Sequence, residues 1–130
     1  MSAMIDANLN RLREGVRVVE DICRFVLKNG DLARRLKNLR SSARIAPIET
    51  LLAKRDSEND VLRPSVKSES DRGDLKGVAI ANFKRAQEAA RVLEETLKIF
   101  APAEAETYKN IRYELYTLEK TVVLALCENR

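Results

Sequence analysis

The sequence predicts an all-α fold, a helical bundle of four main helices built from a duplicated helical hairpin. Apolar residues recur three and four positions apart along most of the 130 residues, as they do on one face of a helix. A fifteen-residue segment near the start returns in the second half of the chain. Four Gly, three Pro and 5% aromatic residues are too few for a turn-rich all-β fold. We therefore expect one helical domain whose halves, about 5–54 and 74–128, pack with pseudo-twofold symmetry.

The first half predicts two helices. The first is expected over 5–28, with Asp6 as its N-cap and Asn29-Gly30 as its C-terminal stop. Asp31 is expected to cap the second helix, which Pro47 ends or kinks. The apolar positions of this hairpin are Ile5, Leu9, Leu12, Val16, Val19, Cys23, Val26, Leu32, Leu36, Leu39 and Ala43.

The second half repeats this plan. A third helix is expected over 74–101 and a fourth over 103–127, with Pro102 between them. Between the halves the apolar pattern fails, and Ser, Asp, Pro and Gly accumulate in a polar loop over 55–73. This loop is longer than an ordinary connection, so we expect it to be either mobile or functional. The apolar positions of the second hairpin are Val78, Phe83, Ala86, Ala90, Leu93, Leu97, Phe100, Tyr108, Ile111, Leu115, Leu118, Val122 and Leu126.

Composition excludes several classes of protein. The chain has no His, which excludes Ser-His-Asp and Cys-His catalysis and histidine-ligated zinc. Cys23 and Cys127 lie in apolar helical patterns and are predicted to be small buried residues. The first residues lack the basic and apolar regions of a signal peptide, and the longest apolar run, 122–127, is too short to cross a bilayer. We therefore expect a cytoplasmic protein.

The internal repeat is the strongest signal in the sequence. Residues 7–21 read ANLNRLREGVRVVED and residues 81–95 read ANFKRAQEAARVLEE. The helices that follow share a shorter match, KNLR at 37–40 against KNIR at 109–112. The identical pairs of the longer segment are Ala7/Ala81, Asn8/Asn82, Arg11/Arg85, Glu14/Glu88, Arg17/Arg91, Val18/Val92 and Glu20/Glu94.

Most of these identities are polar, although packing alone would preserve apolar positions. One interpretation is structural, because Arg and Glu residues three apart can form exposed ion pairs on a helix. The other is functional. Helical geometry places Asn8 and Arg11 at the border of the apolar stripe, so two such edges facing each other would line a polar pocket. Small residues at Gly15 and Ala89 would admit a ligand or another backbone.

Clustered arginines suit a phosphate or carboxylate ligand, because a guanidinium offers paired donors and keeps its charge. The net charge of +4 is compatible with such a ligand. Neither a G-x-x-x-x-G-K nor a G-x-G-x-x-G motif is present. Carboxylates in the loop, Asp56 and Asp60 among them, either hold Mg²⁺ together with substrate phosphates or form a solvated acidic segment. The candidate phosphate ligands are Arg11, Arg17, Arg85, Arg91, Arg40 and Arg112.

The paired A-N-x-x-R-x-x-E-x-x-R-V segments, together with LAKRDSENDV at 52–61, carry a family resemblance. They are similar to the helical domain often fused ahead of thiamine phosphate synthase, which resembles a monofunctional hydroxymethylpyrimidine phosphate kinase family. The resemblance covers residues from about Ile5 to Lys120. It implies a role in thiamin biosynthesis, with ATP and Mg²⁺ used to phosphorylate 4-amino-5-hydroxymethyl-2-methylpyrimidine phosphate to the diphosphate.

The resemblance also implies roles for the repeated residues. The catalytic candidates are Arg11, Arg85, Glu14 and Glu88. The candidates that bind substrate or phosphate are Asn8, Arg17, Asn82, Arg91, Arg40 and Arg112. The metal candidates are Asp56 and Asp60. In this interpretation the ligands are a phosphorylated pyrimidine and a nucleotide.

Two other classes of function stay open. The chain can be a non-catalytic helical module that binds a phosphorylated ligand or supports thiamine phosphate synthase as its partner. A basic RNA-binding domain is disfavoured, because the repeated polar residues border the core and aromatic residues for base stacking are few. A twofold-repeated bundle can also dimerise, so a homodimer is a further expectation.

Overall fold

A computed structural model describes residues 1–44, 73–99 and 101–128, which form four α-helices and contain no strand. The predicted all-α fold is confirmed. The helices are α1 (Ser2–Asp21), α2 (Gly30–Ser42), α3 (Leu75–Leu97) and α4 (Pro102–Glu128), and a π-helical turn, Ile22–Val26, continues α1. The loop over 55–73 and Pro47 lie outside the described residues, apart from Gly73 at the end of the loop.

The ends of α1 differ from the prediction. The helix begins at Ser2, without a side-chain cap, and Asp6 lies inside it as a buried residue, so the assignment of Asp6 as N-cap is wrong. At the other end the Leu27 N–H donates to the Ile22 carbonyl oxygen at 3.0 Å, which is π-helical spacing. The chain then turns at Lys28, whose φ is +53°, one residue before the predicted stop.

The remaining helix ends follow capping chemistry. The side chain of Asn29 caps α2 by accepting from the Leu32 N–H at 3.0 Å, so the cap is Asn29 and not the predicted Asp31. Asp74 caps α3 by accepting from the Gly77 N–H at 2.8 Å. That helix ends at Leu97, short of the predicted residue 101. Pro102 opens α4, where its missing N–H is not needed by the helix.

The helices pack as two hairpins. α1 packs on α2, α3 packs on α4, and the two long helices α1 and α3 pack against each other between them. α2 and α4 touch only locally, where Arg35 Nη2 lies 2.6 Å from Glu114 Oε1. Just past the end of α2, the Arg44 carbonyl oxygen accepts from Tyr108 Oη at 3.2 Å. The fully buried large side chains of the core are Tyr108, Phe83, Leu12, Leu36, Leu93, Leu97, Leu115, Leu118, Val16, Val19 and Val122.

Gly15 marks the close approach between the two hairpins. A Cβ atom at this position would lie 2.9 Å from the carbonyl oxygen of Asn82 and 3.4 Å from the Ala86 Cβ. The prediction that a small residue here admits a neighbour is confirmed, and that neighbour is the backbone of α3. The repeated segments of the two halves are therefore in direct contact.

The two cysteines have different surroundings. Cys23 is fully buried in the π-helical turn, and this burial raises the pKa of its thiol to about 11. Cys127 is exposed in the last turn of α4, so its predicted burial is wrong. None of the four described helices combines the length and the apolar character needed to span a membrane.

Candidate functional site

The repeated asparagines stand at the inner edges of α1 and α3. Asn8 is buried, and its Nδ2 donates to the Met4 carbonyl oxygen at 2.8 Å. Asn82 is half-buried, and its Nδ2 donates to the Val78 carbonyl oxygen at 2.9 Å. One N–H of each amide is thus used within its own helix. Among the described residues, the second N–H and the carboxamide oxygen of each side chain have no protein partner.

A buried ion pair joins the two helices of the first hairpin. Arg40 on α2 holds Glu20 on α1 with both sides of its fork, Nε to Oε1 at 2.8 Å and Nη2 to Oε2 at 3.3 Å. The side chains are 19% and 7% exposed, so water screens this pair only weakly. The hydrogen bond to Glu20 raises the pKa of Arg40 above its ordinary value.

The second hairpin contains the same pair at the matching positions. Arg112 on α4 holds Glu94 on α3, but both Nε (3.1 Å) and Nη2 (3.0 Å) contact the single oxygen Oε2. The other oxygen, Oε1, lies 3.5 Å from Arg91 Nη1. Arg112 Nη1 donates to Tyr116 Oη at 3.3 Å, and this bond, followed by the one to Glu94, raises the pKa of Arg112. Glu94 therefore serves two arginines, whereas Glu20 serves one.

A third matched contact lies on the outer faces. Arg17 Nε lies 3.4 Å from Asp21 Oδ1, and Arg91 Nη2 lies 2.9 Å from Glu95 Oε1, each four residues along its helix. Arg17 and Arg91 are 55% and 53% exposed. The ion-pair interpretation of the repeat therefore applies to these two arginines. The pairing runs mainly to the fourth residue along, and only the contact between Arg91 and Glu94 has the predicted spacing of three.

The three matched contacts give the two halves a common framework. In both halves, an asparagine donates to a carbonyl oxygen of its own helix, and an exposed arginine pairs with a carboxylate four residues along. A buried glutamate then joins the two helices of the hairpin through an arginine. These contacts explain why Asn, Arg and Glu recur at equal offsets. The twofold rotation that would superpose the halves stays a prediction.

The four predicted catalytic residues stand apart from this framework. Arg11, Glu14, Arg85 and Glu88 are all exposed. Within the described residues, none of the four has an ion pair or a side-chain hydrogen bond. No part of the described fold therefore uses the charge of Arg11 or Arg85, which leaves both guanidinium groups able to bind an anion.

A surface depression of about 410 Å³ lies on the second hairpin, between α3 and α4. It brings together three of the predicted residues, Glu88, Arg91 and Arg112. Each of its three cations has a carboxylate partner, and Tyr116, which is 41% exposed, also lines it. The full lining is Lys84, Gln87, Glu88, Arg91, Arg112 and Tyr116. The surface thus combines an exposed aromatic side chain with charged groups of both signs.

Sequence reasoning missed three residues of this lining. Lys84 and the buried Gln87 both contact Glu119 Oε1 on α4, at 3.2 and 3.0 Å, and Tyr116 follows Arg112 by one helical turn. None of these residues is identical between the two halves, so the repeat itself does not point to them. Their spacing was a usable signal, because Lys84, Glu88 and Arg91 lie on one helical face.

The predicted metal ligands, Asp56 and Asp60, lie outside the described residues. The described ranges contain no cluster of three or more His, Cys, Asp or Glu side chains that could hold a metal ion. The assignment of Mg²⁺ to the loop therefore stays a prediction.

Comparison with known proteins identifies relatives over almost the whole chain. The chain is 41% identical over 124 residues to a thiamine-phosphate synthase of Nostoc punctiforme, covering 92% of this chain and 34% of that protein. It is 42% identical over 120 residues to a thiamine-phosphate synthase of Synechocystis, covering 92% and 35%. The chain thus spans about a third of the length of these curated relatives. No solved structure matches it. Residues 3–121 match the ThiD2 family, and the chain belongs to that family.

Proposed function

We propose that this chain acts in thiamin biosynthesis and uses ATP to phosphorylate 4-amino-5-hydroxymethyl-2-methylpyrimidine phosphate to the diphosphate. The observation that carries the proposal is the pair of matched arginines, Arg11 and Arg85, which are exposed and unpaired within the described residues. An unpaired guanidinium suits a phosphate ligand, because it meets the phosphate with two parallel donors. Membership of the ThiD2 family and the names of the relatives support the pathway.

The reaction makes few demands on the protein. The bond from the γ-phosphorus of ATP to the β,γ-bridging oxygen breaks, and a bond forms from that phosphorus to an oxygen of the acceptor phosphate. The acceptor oxygen is already anionic, so no strong general base is required, in keeping with a chain that lacks His. Catalysis then rests on positioning and on neutralising charge in the transition state.

The proposal gives each group of residues a task. Arg11 and Arg85 grip the phosphates that change charge during transfer. Glu14 and Glu88 either orient these arginines once the ligand is bound or join Asp56 and Asp60 around Mg²⁺. Arg17, Arg91, Arg40 and Arg112 add positive potential, although each also has a carboxylate partner in the fold. The carboxamide oxygens of Asn8 and Asn82 accept from the ligand's amino or hydroxyl groups. Mg²⁺, assigned to Asp56 and Asp60, would neutralise phosphate charge when bound.

A non-catalytic role is the second candidate. The chain corresponds to about a third of each relative, and those relatives are named thiamine-phosphate synthases. In this alternative the bundle binds a phosphorylated ligand or a synthase without performing chemistry itself.

Turnover by the purified chain separates the two candidates. The assay incubates the protein with ATP, Mg²⁺ and the pyrimidine phosphate, then measures ADP and the pyrimidine diphosphate. We expect both products in equal amounts, and neither when the pyrimidine phosphate is left out. A folded protein that binds the pyrimidine phosphate but forms no diphosphate would contradict the kinase proposal and favour the binding module.

A further inference from the structure

We infer that the depression between α3 and α4 is the ring-binding site, in which Tyr116 stacks on the heteroaromatic ring of a phosphorylated ligand. The equivalent face of the first hairpin lacks this capacity. The inference rests on the proposed function, and it assigns the two halves of the repeat different tasks.

The three cations of the depression, Lys84, Arg91 and Arg112, all have carboxylate partners in the fold. Because these pairs balance its charge, the inference rests on the aromatic side chain that lines the depression.

The tyrosine wall has the geometry that an aromatic ligand requires. Tyr116 accepts from Arg112 Nη1 at 3.3 Å, and the Arg112 guanidinium lies 5.9 Å from the centroid of its ring. Tyr113 packs edge-on against Tyr116, with ring centroids 5.9 Å apart and planes at 83°. Arg112 is itself fixed by Glu94, so Tyr116 is oriented by two neighbours, Arg112 and Tyr113, and still keeps an exposed surface. An oriented, exposed aromatic ring is a stacking platform for another ring.

The first hairpin has no such platform. At the offset set by the KNLR and KNIR match, Tyr113 corresponds to Ser41 and Tyr116 to Arg44. On the facing helix, Lys84 corresponds to Asn10. The first half therefore keeps the buried pair of Arg40 with Glu20 but loses both aromatic rings and the lysine. Among the described residues of these matched faces, an aromatic ring on which a ligand could stack is present only in the second half.

Direct binding tests this inference independently of turnover. The probes are the pyrimidine phosphate, ATP and inorganic pyrophosphate, each titrated calorimetrically into the wild-type chain and into Tyr116→Leu and Phe25→Leu. Phe25 is the matched control, because its exposed ring lies 4.9 Å from the Arg24 guanidinium but belongs to the first hairpin and does not line the depression. Both side chains are exposed, so both variants are expected to keep the helical circular-dichroism spectrum.

We expect Tyr116→Leu to weaken one of the two ring-containing ligands by about tenfold, as loss of a stacked aromatic does. Phe25→Leu is expected to change binding less than twofold, and pyrophosphate, which has no ring, is expected to bind all three proteins alike. A loss confined to the pyrimidine phosphate assigns that ligand to the second half, and a loss confined to ATP assigns the nucleotide. Tyr116→Leu binding both ligands as tightly as wild type would overturn the inference.

The outcomes for this inference and for the proposed function are separable. If ligand binding depends on Tyr116 but the chain has no turnover, the ring-binding site is supported and the kinase proposal is contradicted. If the chain turns over substrate but binding does not depend on Tyr116, the kinase proposal is supported and the ring-binding site is contradicted. A wild-type chain that binds neither ring-containing ligand would remove both.

Discussion

The two hairpins share a framework but differ in what surrounds it. In the first, Arg40 divides its fork between both oxygens of Glu20, and its neighbours along the chain are Ser41 and Arg44. In the second, Arg112 puts two nitrogens on one oxygen of Glu94 and turns its third nitrogen to Tyr116. In the first half, Arg40 and Glu20 therefore pair only with each other among the described residues. In the second half, Arg112 also contacts Tyr116, and Glu94 also contacts Arg91.

The difference separates residues that hold the fold together from residues found in one half only. The ion pairs that join the two helices of a hairpin recur in both halves, because in both hairpins the two helices pack against each other. Half of the residues that line the depression, Lys84, Gln87 and Tyr116, occur in the second half only. A sequence repeat therefore locates a framework more reliably than it locates a site.

The largest expected effect concerns the unpaired arginines. Arg85→Lys keeps the charge but removes the planar fork, so we expect turnover to fall by about 10²–10³, the range for loss of one electrostatic stabiliser. Arg11→Lys is expected to cause a similar loss, because the proposal gives the two residues equal roles. Steady-state kinetics with ATP and the pyrimidine phosphate measures both.

Arg34→Lys is the matched control for these variants, since Arg34 is an exposed arginine paired only with Asp31. Wild-type turnover in both Arg11→Lys and Arg85→Lys would remove the phosphate grip from the proposal. An unimpaired Arg11→Lys beside an impaired Arg85→Lys would confine the grip to the second half.

The next effect concerns the buried pairs. Glu94→Gln leaves the partly buried Arg112 without its counter-charge, and we expect it to lower the free energy of unfolding by about 2 kcal/mol. Glu20→Gln is expected to cost less, because Glu20 serves one arginine and Glu94 serves two. Equilibrium urea unfolding measures both, with exposed Glu106→Gln as a control expected to change stability by less than about 0.5 kcal/mol. Equal losses at the two sites would show that the contact between Arg91 and Glu94 contributes nothing.

A smaller effect is expected at the close approach between the hairpins. Gly15→Ala would place a Cβ 2.9 Å from the Asn82 carbonyl oxygen, so α1 and α3 must separate slightly. We expect a loss of about 1–2 kcal/mol, because the cost of overpacking exceeds the gain in helix propensity. Gly30→Ala is the control, since nothing lies within 4 Å of its added Cβ. A Gly15→Ala variant with a thermal midpoint at or above that of wild type would show that the helices adjust without cost.

The smallest effect distinguishes the exposed pairs. Arg17→Ala and Arg91→Ala each remove an ion pair to the fourth residue along, worth about 0.3–0.5 kcal/mol at a solvated helix surface. Arg91→Ala is expected to cost slightly more, because Arg91 also contacts the buried Glu94. Urea unfolding at low and at high salt measures the difference, which salt should reduce. A larger loss of unfolding free energy for Arg17→Ala than for Arg91→Ala would contradict the contribution assigned to the contact between Arg91 and Glu94.

Several elements followed from sequence alone because their physics is local. The helices were predicted from the spacing of apolar residues, and Asp74 was placed at the start of α3. The predicted helix ends were wrong where neighbouring residues could cap or end the helix equally well. Asn29 caps α2 in place of Asp31, and the π-helical turn moves the end of the first helix to Lys28, a residue without a turn signature.

The sequence by itself determined the all-α class, the two hairpins and the repeated polar positions, because helical periodicity and duplication are written in residue order. Only the tertiary structure decided which repeated residues are structural. Arg40 and Arg112 find carboxylates on the neighbouring helix, whereas Arg11 and Arg85 find no partner among the described residues. The partners of Arg40 and Arg112 lie 20 and 18 residues away along the chain, so these pairs depend on how each helix packs on its neighbour. Periodicity along one helix does not encode that packing.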